Sequence, residues 1–320
     1  MKKLIMILGT VSIAMSAIFV RMSSAPSIVL VFYRMLFAVL ILIPMLVIKF
    51  REEIKRLKMR DILWCACGGL FLGLHFTVFF ESLKYTSIAA SVVLVNMEAF
   101  IVSITLVLWC GEKIPRKGIF GIAAVFLGTV LIAVSDMGSG SNVVFGDALA
   151  LLGAFFASAY TLIGRSCRTH ISTSVYTCFV YGFACLTVCI GMLVSGTSFT
   201  GYAVMDYGAA FGMTIFCTFF GHSVYSWGLK YLSASYISTV KLMESFFSAL
   251  FGFFIFGEVP AALVVLGGVI AIGGVAAYSQ VDTARGVDAS GNVDTARGVD
   301  ASGNVDTAKS MDAAKGLKQK

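Results

Sequence analysis

Ten apolar runs follow one another along this chain, at about 4–20, 27–48, 62–80, 86–109, 117–135, 146–164, 173–195, 207–228, 234–256 and 260–279. Each is close to the roughly 20 residues that carry a helix across the hydrocarbon of a bilayer. Inside lipid a backbone must satisfy its own hydrogen bonds, so runs of this length admit helices and little else. Only 13% of the residues are charged, well under the share in a water-soluble domain. The expected class is an all-α membrane protein with ten transmembrane helices, most of them joined by connections short enough to make consecutive helices antiparallel neighbours.

The chain also repeats itself. Leu83-Lys84-Tyr85-Thr86-Ser87, Met97-Glu98-Ala99-Phe100 and Gly111-Glu112 recur 146 positions later as Leu229-Lys230-Tyr231-Leu232-Ser233, Met243-Glu244-Ser245-Phe246 and Gly257-Glu258. Gly121 and Gly128 match Gly267 and Gly274 at the same offset. Five runs per copy is an odd number, so the copies enter the membrane in opposite orientations. They are predicted to form two inverted five-helix repeats around a central cavity. The predicted boundaries are 1–135 for the first repeat, 136–145 for an extracytoplasmic linker, 146–280 for the second repeat and 281–320 for a cytoplasmic tail.

The formal charge of +7 does not point to nucleic acid, because residues 281–320 hold six basic and six acidic side chains and are neutral. The excess lies in short loops of the membrane body, where Lys and Arg mark the cytoplasmic side. Lys2 and Lys3, the segment 49–61, the segment 110–117, Arg165 with Arg168, and Lys230 fall on one side; Arg21 and Lys84 fall on the other. Both termini are thus expected in the cytoplasm, in a protein of the bacterial inner membrane. The first run, with Ser23-Ser24-Ala25 after it, also has the outline of a signal peptide, but its removal would break the five-plus-five symmetry. In the tail, Val281–Asn292 is repeated identically as Val293–Asn304. With almost no large apolar side chains there, burial cannot offset chain entropy, and disorder is expected.

Seven of the eight cysteines fall in or at the ends of apolar runs and read as small hydrophobes, and no His or Cys cluster has zinc-ligand spacing. No metal, cofactor or disulfide is expected. Glu98 and Glu244 stand near the middle of the fourth and ninth runs, where a carboxylate is costly and marks a functional position. Either could exchange a proton or bind a substrate ammonium group. Lys241 lies three residues before Glu244 on the same helical face, so a structural ion pair is the other reading for Glu244. Glu98 has no basic neighbour on its own helix. Arg34, inside the second run, must face protein or a wet cavity and is expected to pair with a glutamate. His75 and His222 are proton-relay candidates or packed core residues. Phe76, Phe79, Phe80, Tyr225 and Trp227 are candidate cavity aromatics. Glu112 and Glu258, each after a Gly and before a Pro, read as loop caps, and the repeated glycines, with Gly268 and Gly273, as sites of close helix packing.

Ala25-Pro26 through Tyr33-Arg34, the two Leu-Lys-Tyr-x-Ser segments followed by Gly-Glu and a glycine-rich helix, and the count of runs resemble the drug/metabolite transporter superfamily, more narrowly its EamA-type exporters. The resemblance covers about residues 4–279. It implies two inverted repeats, alternating access and export of amino acids or related metabolites. In that pattern the residue after Asn96-Met97 is commonly proline, so Glu98 brings a second carboxyl near the cavity. The candidate substrate-binding set is Glu98, Glu244, Arg34, His75, Phe79, Asn96, Lys241, Tyr225 and Trp227. Expected partners are a small-molecule substrate, protons and the lipid bilayer. A transporter of drugs, amines, nucleobases or vitamins by facilitated diffusion is the alternative. A membrane sensor or assembly protein is a different class, and an intramembrane enzyme lacks a nucleophile with a positioned base.

Overall fold

Apolar sequence is wound into helix throughout the residues described by a computed structural model, which are 1–86, 88–110, 116–134, 142–257 and 262–288. The chain divides into two units, Met1–Ser279 and Gln280–Lys320, the second described only to Asp288. The helices are α1 (Lys2–Arg21), α2 (Ser27–Lys49), α3 (Arg51–Arg56), α4 (Met59–Ser82), α5 (Ile88–Val95), α6 (Glu98–Cys110) and α7 (Arg116–Val134). After them come α8 (Val143–Cys167), α9 (Thr173–Ser195), α10 (Val204–Gly212), a π-helix (Met213–His222), α11 (Ser223–Gly228), α12 (Ala234–Lys241), α13 (Glu244–Phe256) and α14 (Ala262–Asp288).

Seven helical stretches among the described residues are long and apolar enough to cross a membrane, against the ten spans expected. The fourth run, which is not among the seven, is not one helix. It breaks at Asn96-Met97 into α5 and α6, of 8 and 13 residues. The ninth run breaks at Leu242-Met243 into α12 and α13, again of 8 and 13 residues. The two breaks are 146 positions apart, matching the repeat in the sequence. The last helix differs in the other direction, since α14 continues to Asp288 through eight residues expected to be disordered. Propagating an existing helix adds a hydrogen bond for each residue fixed, and the segment Val281–Asp288 contains no proline to stop it. The rest of the tail, Glu112 and Glu258 lie outside the described residues.

Ends of helices are set by local chemistry. Ser172 and Ser233 cap α9 and α12 by accepting hydrogen bonds from the amides of Val175 and Tyr236, at 3.4 and 3.1 Å. Gly257 closes α13 with φ of 71°, a conformation that costs a side-chain-bearing residue. The interior is built by α4 against α8 and α9, α2 against α9, and α1 against the π-helix and α13.

Helices α7 and α14 meet glycine to glycine. A Cβ added at Gly121 would stand 2.9 Å from the carbonyl oxygen of Gly274, and one added at Gly274 would stand 2.7 Å from that of Gly121. Gly128 presses in the same way on the carbonyl of Gly267. Of the other two glycines expected in close packing, Gly268 receives the ring of Phe246, whereas Gly273 faces open space. Gly128→Leu should therefore lower stability by about 1–3 kcal/mol through forced separation of the backbones. Thermal unfolding of the purified protein in detergent measures this, with Gly273→Leu, expected to be nearly neutral, as the control.

Candidate functional site

The two helix breaks face the same cavity. Its volume is about 30 Å³, and its walls come from α1, α2, α4, the junctions α5–α6 and α12–α13, α8, the π-helix and α11. That is room for one or two water molecules, so a solute enters only if helices separate. Eight of the nine candidates chosen from sequence line it: Arg34, His75, Phe79, Asn96, Glu98, Tyr225, Lys241 and Glu244. Trp227 does not, and its ring instead lies 4.9 Å from that of Tyr231.

Glu98 is the first residue of α6 and Lys241 the last of α12, so each charge sits at the helix end whose dipole favours it. Lys241 Nζ donates to Glu98 Oε1 at 2.8 Å and to Oε2 at 3.1 Å. The hydroxyls of Thr161 and Ser238 donate to the same Oε1 at 2.7 and 3.2 Å. The pair is withdrawn from solvent, with Glu98 4% and Lys241 8% exposed. This corrects the expectation from sequence on both sides. Lys241 pairs across the structure with Glu98 and not with Glu244 on its own face, and Glu98, which has no local partner, is the more fully satisfied carboxylate.

Glu244 starts α13 as Glu98 starts α6, but no hydrogen bond or ion pair reaches it among the described residues. Arg34 does not pair with either glutamate, contrary to expectation. Its Nε donates to Thr218 Oγ1 at 2.7 Å, its guanidinium carbon lies 4.1 Å from the centre of the Phe76 ring, and its backbone oxygen accepts from Thr214 Oγ1 at 2.9 Å. Thr214 and Thr218 both belong to the π-helix, whose wider turn holds them on the face toward α2. At 1% exposure, Arg34 keeps one nitrogen, Nη2, without an acceptor, and Asn96 Nδ2 is likewise unpaired. A buried donor left unpaired costs about 1–3 kcal/mol, which makes these two atoms conspicuous.

Both histidines are packed. His75 Nδ1 is 3.0 Å from the carbonyl oxygen of Gly153, which fixes Nδ1–H as the donor and turns Nε2 away from it. The His75 ring stacks at 6.0 Å on Phe79, and the His222 ring lies edge-on to Phe76 at 4.9 Å. Tyr160 and Tyr225 complete the polar wall through hydrogen bonds to Ser226 and Thr10, at 2.9 and 2.8 Å. Thr161, Thr218, Ser238 and Tyr160 were not singled out from sequence. The signal for one of them was present, since Ser235, Ser238, Thr239 and Lys241 cluster as polar residues within a run otherwise suited to lipid. Among the described residues no group of His, Cys, Asp or Glu is arranged to hold a metal ion.

Comparison with known proteins settles the family. The model of the EamA-like transporter family matches residues 2–134 and again 144–280. The chain belongs to the EamA-like transporter family. That family lies within the drug/metabolite transporter superfamily, and the protein is an integral membrane transporter. An uncharacterized transporter of Clostridium kluyveri is 27% identical to this EamA-like chain over 252 residues, covering 77% of it and 81% of the relative. The pseudopaline exporter CntI of Pseudomonas aeruginosa is 23% identical over 213 residues, covering 66% and 73%. The uncharacterized transporter YyaM of Bacillus subtilis is 23% identical over 253 residues, covering 75% and 82%. A solved crystal structure shares the fold with a TM-score of 0.70 at 16% identity, over 88% of this chain and 98% of that one.

Proposed function

We propose that this EamA-like protein is a secondary transporter exporting amino acids or related small zwitterionic metabolites by alternating access. The observation that carries the reading is two opposite charges in one cavity, Arg34, whose buried Nη2 has no acceptor, and Glu244, whose carboxylate no hydrogen bond or ion pair reaches among the described residues. A guanidinium suits a substrate carboxylate and a carboxylate suits an ammonium group, so the two together fit a molecule bearing both. The Glu98–Lys241 pair neutralises itself and leaves that balance undisturbed. Outward transport draws support from the relative named as an exporter.

The proposed architecture is ten spans in two inverted five-helix repeats, 1–135 and 146–280, with both termini on the cytoplasmic side of a bacterial inner membrane. Three observations favour it. The family model matches twice, in segments that fall one in each proposed half. The helix breaks and the two glutamates occupy equivalent positions in the copies. The contacts Gly121–Gly274 and Gly128–Gly267 are each other's images when the repeats are exchanged, as a pseudo-twofold axis between α7 and α14 requires. Alternating access then exchanges the surroundings of Glu98 and Glu244. Lys241, one turn before Glu244, is placed to leave one carboxylate for the other as the halves rock, and Glu244 is where proton coupling would act.

Counterflow in liposomes tests the reading. Vesicles preloaded with unlabelled amino acid should accumulate the labelled form faster than empty ones, and a pH gradient should alter the rate only if protons are coupled. Failure of every amino acid to drive counterflow, with amines lacking a carboxylate succeeding, would establish the amine-transporter alternative.

A further inference from the structure

We propose that a second cavity, which shares no lining residue with the first, binds the phosphate headgroup of an anionic phospholipid. This cavity, of about 450 Å³, lies between the start of α4 and the end of α8, and Arg56, Lys58 and Arg60 converge on it. The carboxylates nearby already have partners, Asp61 within the cavity wall and Glu52 and Glu53 outside it. Asp61 accepts from the amide of Lys58 at 3.0 Å and faces His170 Nε2 at 3.0 Å. Glu52 holds Lys55 at 2.8 Å, and Glu53 accepts from the amide of Ser172 at 2.6 Å. Among the described residues no carboxylate lies within ion-pair reach of Arg56, Lys58 or Arg60. Three positive side chains therefore line a cavity large enough for a phosphate group, and the carboxylate in its wall, Asp61, is held by the amide of Lys58 and by His170.

The surroundings select a lipid over a soluble phosphate. Trp64 lines the same cavity and is 44% exposed, and Leu63 beside it is 59% exposed, so the apolar outer face of α4 begins at the cavity's edge. An indole with one wet and one apolar side is characteristic of the membrane–water boundary. A headgroup in the cavity places its acyl chains along that face, a continuation that a free anion does not use. Basic pockets between membrane helices take acidic headgroups by this chemistry.

The test uses the full chain in lipid nanodiscs with Trp109→Phe and Trp227→Phe, which leaves Trp64 as the single tryptophan. Brominated phosphatidylglycerol should quench Trp64 more strongly than brominated phosphatidylcholine at equal mole fraction. Neutralising Arg56, Lys58 and Arg60 to glutamine should abolish the difference, each substitution weakening the preference roughly fivefold. The variant Arg56→Lys with Arg60→Lys keeps the charge and should keep the preference. Equal quenching by the two lipids, or a preference that survives the triple variant in folded protein, would overturn the proposal. So would a Trp64 response to inorganic phosphate without any preference between lipids, which would assign the cavity to a soluble anion.

Discussion

Replacing Lys241 by methionine should destabilise the protein by about 3–5 kcal/mol, the cost of leaving one member of a buried ion pair without its partner. Glu98 is 4% exposed, and its Oε1 would retain only the hydroxyls of Thr161 and Ser238. Those two hydrogen bonds do not neutralise a carboxylate, and a lone charge deep in a membrane protein is unfavourable by about 3 kcal/mol even on the most lenient scale. Glu98→Gln alone should cost less, because the glutamine side-chain oxygen can still accept from the lysine ammonium and Thr161 Oγ1 stays within 3.4 Å of it. The double variant Glu98→Gln/Lys241→Met should recover much of the stability lost in Lys241→Met, giving a coupling energy of about 2 kcal/mol or more in a double-mutant cycle. Thermal unfolding of the four purified proteins provides the measurement. A double variant no more stable than Lys241→Met would mean that Glu98 and Lys241 are not energetically joined.

The same pair marks where the sequence stops being legible. Spacing along one helix places Lys241 beside Glu244, because residues three apart share a face. Whether a long side chain turns instead toward another helix depends on packing that no local pattern encodes, and here α12 and α6 approach closely enough for Lys241 to take Glu98. Arg34 repeats the lesson. Its burial follows from its place in an apolar run, but its acceptor, Thr218, is 184 positions away on a π-helix that leaves no recognisable trace in the sequence. The breaks at Asn96-Met97 and Leu242-Met243 were hidden because neither contains proline or glycine; only the glutamate following each marks them. What local chemistry does dictate was readable. The apolar runs, close packing at most of the repeated glycines, and the gathering of eight candidate residues follow from lipid solubility, side-chain size and the cost of buried charge, although which helices the glycines join was not readable.

The cavity of about 30 Å³ brings together Arg34, whose buried Nη2 has no acceptor, and Glu244, whose carboxylate no hydrogen bond or ion pair reaches among the described residues. The elements around it are suited to movement. At Asn96-Met97 and Leu242-Met243 the α-helical ladder gives way to i→i−3 bonds, Met97 N to Leu94 O and Met243 N to Val240 O both at 3.1 Å, a tighter turn of the kind that serves as a hinge within a helix. The π-helix carries a wider turn than its α-helical flanks, so a local return to α geometry would rotate Thr214 and Thr218 relative to Arg34. In the proposed transport cycle Arg34 would connect substrate binding to this rearrangement.

Arg34→Gln and Glu244→Gln should each reduce zwitterion flux by about 100-fold, but by losing opposite ends of the substrate. A site built to hydrogen-bond a charged group rejects an analogue lacking that group by several orders of magnitude, because its own buried group is left unpaired. Wild-type protein should consequently discriminate against both the decarboxylated amine and the deaminated acid of its substrate. With Arg34→Gln, discrimination against the amine should collapse while that against the acid persists; Glu244→Gln should do the reverse. Arg34→Lys is expected to behave almost like the glutamine variant, since an ammonium lacks the planar fork that lets one group hold Thr218 and still present a second nitrogen to a carboxylate. Because these changes alter which analogue competes and not merely how much is transported, a variant that is simply unstable cannot imitate them. If both glutamine variants retained the wild-type order of competition, Arg34 and Glu244 would be structural charges and the recognition of a zwitterion would have to be sought among other residues of the cavity.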